Sequence, residues 1–322
     1  MLPKIVLLLL AALWLPRELA EDQRVITTLK HVGVAHYGRV QLTVVEGVPA
    51  TAAMVPYMAS LRELVAGAGP GHVWRNLCGA TIIGLRRVLT AAHCLETDGY
   101  YYCHHPEQLR IVAGDHNTSA TEDQGQNGAQ WRKITSLKLH KNFHFPINDI
   151  ALVFVDRDWV WSKQVQQVPI DRNGDYVPVC TIAGFGCTGF GQQAISSPVL
   201  RVGNIQVLSK RQCSNLWRMN MDTFVCTTSM MSDTSHGDSG GPLICLAEGE
   251  RMLVGLVSGK NFDTTTLFTR VEAYKSWIDS NGALTDAAMR TSGNLLVRAL
   301  AWTRAVSKIA PQVAMKVKFS LF

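Results

Sequence analysis

Residues 44–271 are cut into short apolar runs, and Gly, Pro, Asn or Asp stands between them. The runs fall at 57–61, 79–89, 109–113, 150–154, 199–207, 242–245, 252–257 and 266–271. Several are rich in Val, Ile and Thr, whose branched side chains fit a pleated surface better than a helix. Segments of this length cannot bury an apolar face alone, so many of them at this spacing imply an all-β sandwich or barrel. The high glycine content, 26 of 322 residues, suits a turn-rich protein of this kind. The length allows one large domain or two packed sub-domains. The β texture stops near Val271, and 272–278 read as a short helix with Tyr274, Trp277 and Ile278 on one face.

The two ends differ from this body. Lys4 followed by an apolar run at 5–15 has the form of a secretory signal, with cleavage after Ala20 despite a poorly fitting Glu18. The formal charge of +6 is uneven: residues 1–20 carry +1, residues 282–322 carry +5, and the remainder is near zero. The basic balance therefore belongs to the tail, which argues against a nucleic-acid-binding body. In the tail, Leu295, Ala299, Trp302, Val306 and Ile309 recur at helical spacing, with Arg298, Arg304 and Lys308 away from that stripe. Two readings stand for it: packing on the domain or a poorly ordered tail, and contact with a membrane surface or partner.

Eight cysteines follow the apolar leader, at 78, 94, 103, 180, 187, 213, 226 and 245. An even count behind a signal implies an oxidising compartment and disulfides, and no CxxC pair supports a zinc or redox site. Asn117-Thr118-Ser119 is a glycosylation sequon. The acidic residues from 115 to 123 read as a solvated loop and not as a cation site, so no cofactor is expected.

Cleaving an amide needs an activated nucleophile, a base for its proton, and donors for the developing oxyanion. Gly237-Asp238-Ser239-Gly240-Gly241-Pro242 offers a nucleophile on a tight turn. Gly237 tolerates the backbone angles that let the N–H groups of Gly237 and Ser239 face one oxygen. Alone, such a hexapeptide reads equally as an ordinary Gly/Ser turn. His93 lies in Leu89-Thr90-Ala91-Ala92-His93-Cys94, and Asp149 in Asn148-Asp149-Ile150-Ala151-Leu152-Val153. A carboxylate at the edge of an apolar strand can orient an imidazole and stabilise its protonated form.

Taken in chain order, these three segments resemble the signatures of the trypsin/chymotrypsin family over residues 44–279. The resemblance implies an all-β fold of two six-stranded antiparallel β-barrels with a C-terminal helix. It implies Ser239 as nucleophile, His93 as general base and then acid, and Asp149 as orienting carboxylate. The N–H groups of Gly237 and Ser239 would form the oxyanion hole, and Ser258 would hydrogen-bond Asp149. The implied disulfides are Cys78–Cys94, Cys180–Cys245 and Cys213–Cys226. Cys103 and Cys187 remain, and their presence in a secreted chain suggests a pair.

The chain then divides into a signal peptide at 1–20, a propeptide at 21–43, a protease domain at 44–281 and a basic extension at 282–322. Val44 matches the family's mature N-terminus, whose ammonium would pair with Asp238. Thr43 precedes it where the family has Arg or Lys. Asp233 matches the pocket-base carboxylate that favours Arg or Lys at the cleaved residue. The pocket walls depart from the pattern: Ser235 replaces a disulfide cysteine, and Ser258-Gly259-Lys260 replaces Ser-Trp-Gly. An ion pair between Lys260 and Asp233 would cancel the attraction for basic substrates. The expected activity is a secreted serine endopeptidase acting on proteins or peptides and open to protease inhibitors. The alternative is a non-catalytic homologue that binds.

Overall fold

The computed structural model describes residues 47–65, 73–118, 122, 128–188, 195–228, 232–261 and 265–282. The signal and propeptide readings, Val44 and the amphipathic tail lie outside these residues. After a two-residue strand β1 (Val48–Pro49), six strands follow: β2 (Met58–Val65), β3 (Val73–Gly84), β4 (Arg87–Thr90), β5 (Leu109–Ala113), β6 (Gln130–Leu139) and β7 (Ala151–Val155). They close into an antiparallel barrel in the order β2-β3-β4-β7-β6-β5. Closure removes the open edges that a free sheet would expose. Its interior is aliphatic, with Leu61, Ile82, Val88, Leu109, Ile111 and Val153 fully buried. All five residues of β7 are buried, which its unbroken apolar run requires.

The second half holds β8 (Val179–Gly184), β11 (Arg201–Gln206), β12 (Phe224–Thr228), β13 (Pro242–Ala247), β14 (Glu250–Asn261) and β15 (Thr265–Arg270). A small hairpin, β9 (Cys187–Thr188) with β10 (Ile195–Ser196), stands apart. The large sheet runs β1-β11-β8-β13-β14-β15-β12. It curls on itself, because Val207, just past β11, bridges Thr227 of β12. Six strands thus make the second barrel of the chymotrypsin-like fold, and β1 is a seventh strand laid on β11 through Val48 and Val202.

The structure adds elements that the sequence pattern does not announce. β6 escaped notice because Arg132 and Lys133 interrupt its apolar texture. Arg132 is nonetheless buried, its guanidinium stacked over the Trp159 ring at 4.8 Å. The segment after Thr90 is a helix, α1 (His93–His104). A second helix, α2 (Lys210–Trp217), begins with a capping box in which Ser209 accepts from the Gln212 N–H.

Asp115 is no solvated loop residue. Its carboxylate lies 3.1 Å from Arg62, and their side chains are only 7% and 1% exposed. The Arg62 guanidinium also sits 4.9 Å over the Trp131 ring. Past β15, a short 3-10 turn at Val271–Tyr274 leads into helix at 275–282. The chain divides into two units after Lys275. The second is described only over its first residues, which are helical, with Asn281 donating to the Trp277 carbonyl at 2.8 Å.

Candidate active site

Ser239 lies in the tight connection entering β13. Gly237 has φ +92°, a conformation that a side chain would strain, and Gly240 has φ +75°. The Asp238 N–H donates to the Ser235 carbonyl (3.0 Å), and the Gly241 N–H donates to the Asp238 carbonyl (2.8 Å). The turn is pinned to the first barrel by β3. The Gly79 N–H donates to the Ser239 carbonyl (2.7 Å), and Asn76 Nδ2 donates to the Gly237 carbonyl (3.1 Å). A methyl group on Gly79 would strike the backbone of Gly241. Among the described residues no acceptor takes the N–H of Gly237 or Ser239.

His93 opens α1 directly after β4. Its neighbour Cys94 places Sγ 3.8 Å from the Ser239 carbonyl, which brings the imidazole segment beside the serine turn. The His93 backbone N–H donates to Asp149 Oδ1 (2.9 Å), and Nδ1 lies 2.7 Å from Oδ2. A carboxylate only accepts, so Nδ1 carries the proton and Nε2 is left as a base. Burial by itself would lower the pKa of His93. The Asp149 charge and hydrogen bond, with a smaller contribution from the Glu96 charge, more than offset this and hold it above the usual imidazole value.

Asp149 is completely buried. Its Oδ2 also accepts from Ser258 Oγ (2.6 Å), and its backbone carbonyl accepts from Thr269 Oγ1 (2.8 Å). The preceding Asn148 takes φ +55°, and its side chain accepts from the Tyr274 hydroxyl (3.0 Å) and donates to the Asn142 carbonyl (2.8 Å). These contacts aim the carboxylate at α1 as the chain enters β7.

Asp238 is 1% exposed. Its Oδ1 accepts from the Gly186 N–H (2.8 Å) and its Oδ2 from the Ser235 N–H (2.9 Å). A side chain on Gly184 or Gly186 would overlap this carboxylate. Burial pushes its pKa up to about 7, and the two N–H donors offset only part of that rise.

Asp233 is fully buried, with its Oδ1 accepting from Thr266 Oγ1 (2.6 Å) and the Thr234 N–H (2.8 Å). The Lys260 ammonium pairs with its other oxygen. Phe145 stands edge-on to His93, with ring centroids 5.5 Å apart. It also lies where a side chain on Gly259 would come within 3.2 Å of its ring.

The structure forms Cys78–Cys94, Cys180–Cys245 and Cys213–Cys226. Cys103 and Cys187 do not pair, contrary to the suggestion from their count. Cys103 packs at the end of α1 against the first barrel's core, whereas the Cys187 N–H on β9 donates to the His236 carbonyl (2.8 Å). Among the described residues the one metal-like cluster is Cys78, His93 and Cys94, but its two sulfurs are bonded to each other. Asn117 is exposed at an isolated bridge to Val199. No local signal in the sequence marks Asn76, Thr266, Thr269, Phe145, Gly184 or Gly186, since each acts on a residue distant in the chain.

Two antiparallel barrels joined at a pinned Gly-Asp-Ser-Gly-Gly turn, with an imidazole–carboxylate pair beside it, define a serine-type hydrolase. The trypsin family model matches residues 44–278. Rat chymotrypsin-C is 30% identical over 242 residues, covering 70% of this chain and 83% of that protein. Chymotrypsin-like elastase family member 1 of Macaca fascicularis is 30% identical over 238 residues, covering 70% and 84%. Granzyme-like protein 2 of rat is 29% identical over 238 residues, covering 69% and 83%. The chain belongs to the trypsin family and is a serine-type endopeptidase.

Proposed function

We propose that the protein is a secreted endopeptidase that cleaves through an acyl-enzyme on Ser239. The observation that carries this is the hydrogen-bonded chain Ser258–Asp149–His93 set beside the pinned serine turn. Neutral His93 takes the Ser239 proton on Nε2 while Oγ bonds to the substrate carbonyl carbon. The carbonyl oxygen gains the electron pair and is met by the N–H groups of Gly237 and Ser239. The imidazolium then protonates the leaving amine, and the C–N bond breaks. Water repeats the sequence and releases the acid. Asp149 stays ionised, orienting His93 and stabilising its positive charge.

The finer readings extend this one. Cleavage before Val44 would free an ammonium for Asp238, whose buried carboxyl receives, among the described residues, two backbone N–H donors. The three disulfides and the apolar leader support secretion. The exposure of Asn117 fits glycosylation there. Substrates are proteins or peptides, and protease inhibitors would compete at the same groups. A preference for Arg or Lys requires Asp233 to meet the substrate charge alone, a condition that the Lys260 ammonium removes.

The test is labelling of the secreted, processed protein with a fluorophosphonate, together with sequencing of its N-terminus. Labelling that disappears in Ser239→Ala, in protein beginning at Val44, is the expected result. No labelling of protein with that N-terminus would favour a non-catalytic binding homologue.

A further inference from the structure

The strand that carries Ser258 also carries an unusual charge. β13 pairs with β14 only as far as Pro242 and Leu256. Beyond that, among the described residues, β14 pairs with β15. A bulge interrupts the β14–β15 ladder here. Val257 faces Phe268, Gly259 faces Leu267, and Ser258 is the extra residue. The bulge shifts the register by one and sets Lys260 opposite Thr266. Without it Gly259 would take that place. The Thr266 hydroxyl holds one oxygen of Asp233, and the Lys260 ammonium holds the other. One rung of the sheet thus engages both carboxylate oxygens, Thr266 by a hydrogen bond and Lys260 by the balancing charge.

We infer that Lys260 is a specificity-determining residue: it supplies from within the chain the positive charge that a basic substrate side chain would bring, so the enzyme selects an uncharged residue at the cleaved bond. The inference deepens the proposed function and rests on its reading of Asp233 as the base of the substrate pocket. A basic side chain entering there meets a carboxylate already paired and a like charge beside it. An acidic side chain fares no better, because the Lys260 charge is matched by Asp233. An uncharged side chain disturbs neither partner.

The test uses processed protein with Lys260→Ala and Lys260→Met, the second keeping the aliphatic stem. Benzamidine, an aryl amidinium, is titrated by calorimetry in the Ser239→Ala background, where no catalysis is needed. Each Lys260 substitution is expected to tighten benzamidine binding tenfold or more. In the active protein, the ratio of kcat/KM for Arg or Lys substrates over Leu or Ala substrates should rise by a similar factor. Unchanged benzamidine affinity in both variants, with unfolding transitions like the parent's, would overturn the inference. So would a parent enzyme that already prefers Arg or Lys. Fluorophosphonate labelling of Ser239 reports separately on the catalytic reading, so loss of one result leaves the other interpretable.

Discussion

The Ser258 hydroxyl donates to Asp149 Oδ2 at 2.6 Å, the oxygen that also faces His93 Nδ1. One buried carboxylate oxygen therefore holds two partners, one from each side of the site. Hydrogen bonds to a buried charge contribute about 1.5–3 kcal/mol. Ser258→Ala should lower kcat about tenfold and leave KM nearly unchanged, because the bond orients the imidazole and touches no substrate. Steady-state kinetics on a peptide substrate would check the split; a rise in KM alone would contradict this role.

The pH dependence of the reaction follows from His93. The imidazole must be neutral to accept the serine proton, and Asp149 and its hydrogen bond raise its pKa against the effect of burial. Activity should therefore rise with pH along a limb that lies above the ordinary value of about 6.5. Asp149→Asn removes the charge and alters the tautomer. It should lower kcat by roughly 10⁴-fold, as loss of the orienting carboxylate does in such triads. A pH–kcat/KM profile of the parent tests the limb, and kcat of both proteins at the plateau tests the loss.

Asp238 makes the stability of the protein not yet cleaved before Val44 fall as pH rises. Its carboxyl is raised from 3.8 to about 7, so between those values the folded chain keeps a proton that the unfolded chain has lost. Stability present below the lower value is lost through the upper one, by roughly 4 kcal/mol. Asp238→Asn should flatten the decline of Tm between about pH 4 and 7. Equal slopes in variant and parent would place the dependence elsewhere. An ammonium arriving at Asp238 on processing should also remove it.

Arg62 and Asp115 form a buried pair whose loss on one side is costly. Burial lowers the Arg62 pKa and Asp115 partly restores it, so removing Asp115 leaves a buried guanidinium without the carboxylate that offsets its desolvation. Asp115→Ala should cost about 3–5 kcal/mol, with Asp115→Asn costing less because it keeps an acceptor. Denaturant unfolding of the two variants measures the difference.

Much of this was legible in the chain. The short Val-, Ile- and Thr-rich runs marked eight strand regions, because a pleated strand needs an apolar face wherever it meets a core. The serine turn was legible for a similar reason: Gly237 and Gly240 answer a local demand for positive φ. Asp149 and His93 were legible only by resemblance to a family, since a lone acid or imidazole says nothing of its partner.

What the tertiary structure alone decided is which distant groups meet. His93 reaches Asp149 across 56 residues, and Asp149 reaches Ser258 across 109. Arg132 is buried on β6 because Trp159 offers its ring, which no local pattern announces. Cys103 and Cys187 were even in number yet stay apart, since chain count does not bring two thiols together. The sequence could pose an ion pair between Lys260 and Asp233, but a single bulge at Ser258 sets the register that places Lys260 opposite Thr266. Local residue chemistry determines strands and turns one segment at a time. Contacts between segments depend on sheet register and barrel closure, which are properties of the whole packed chain.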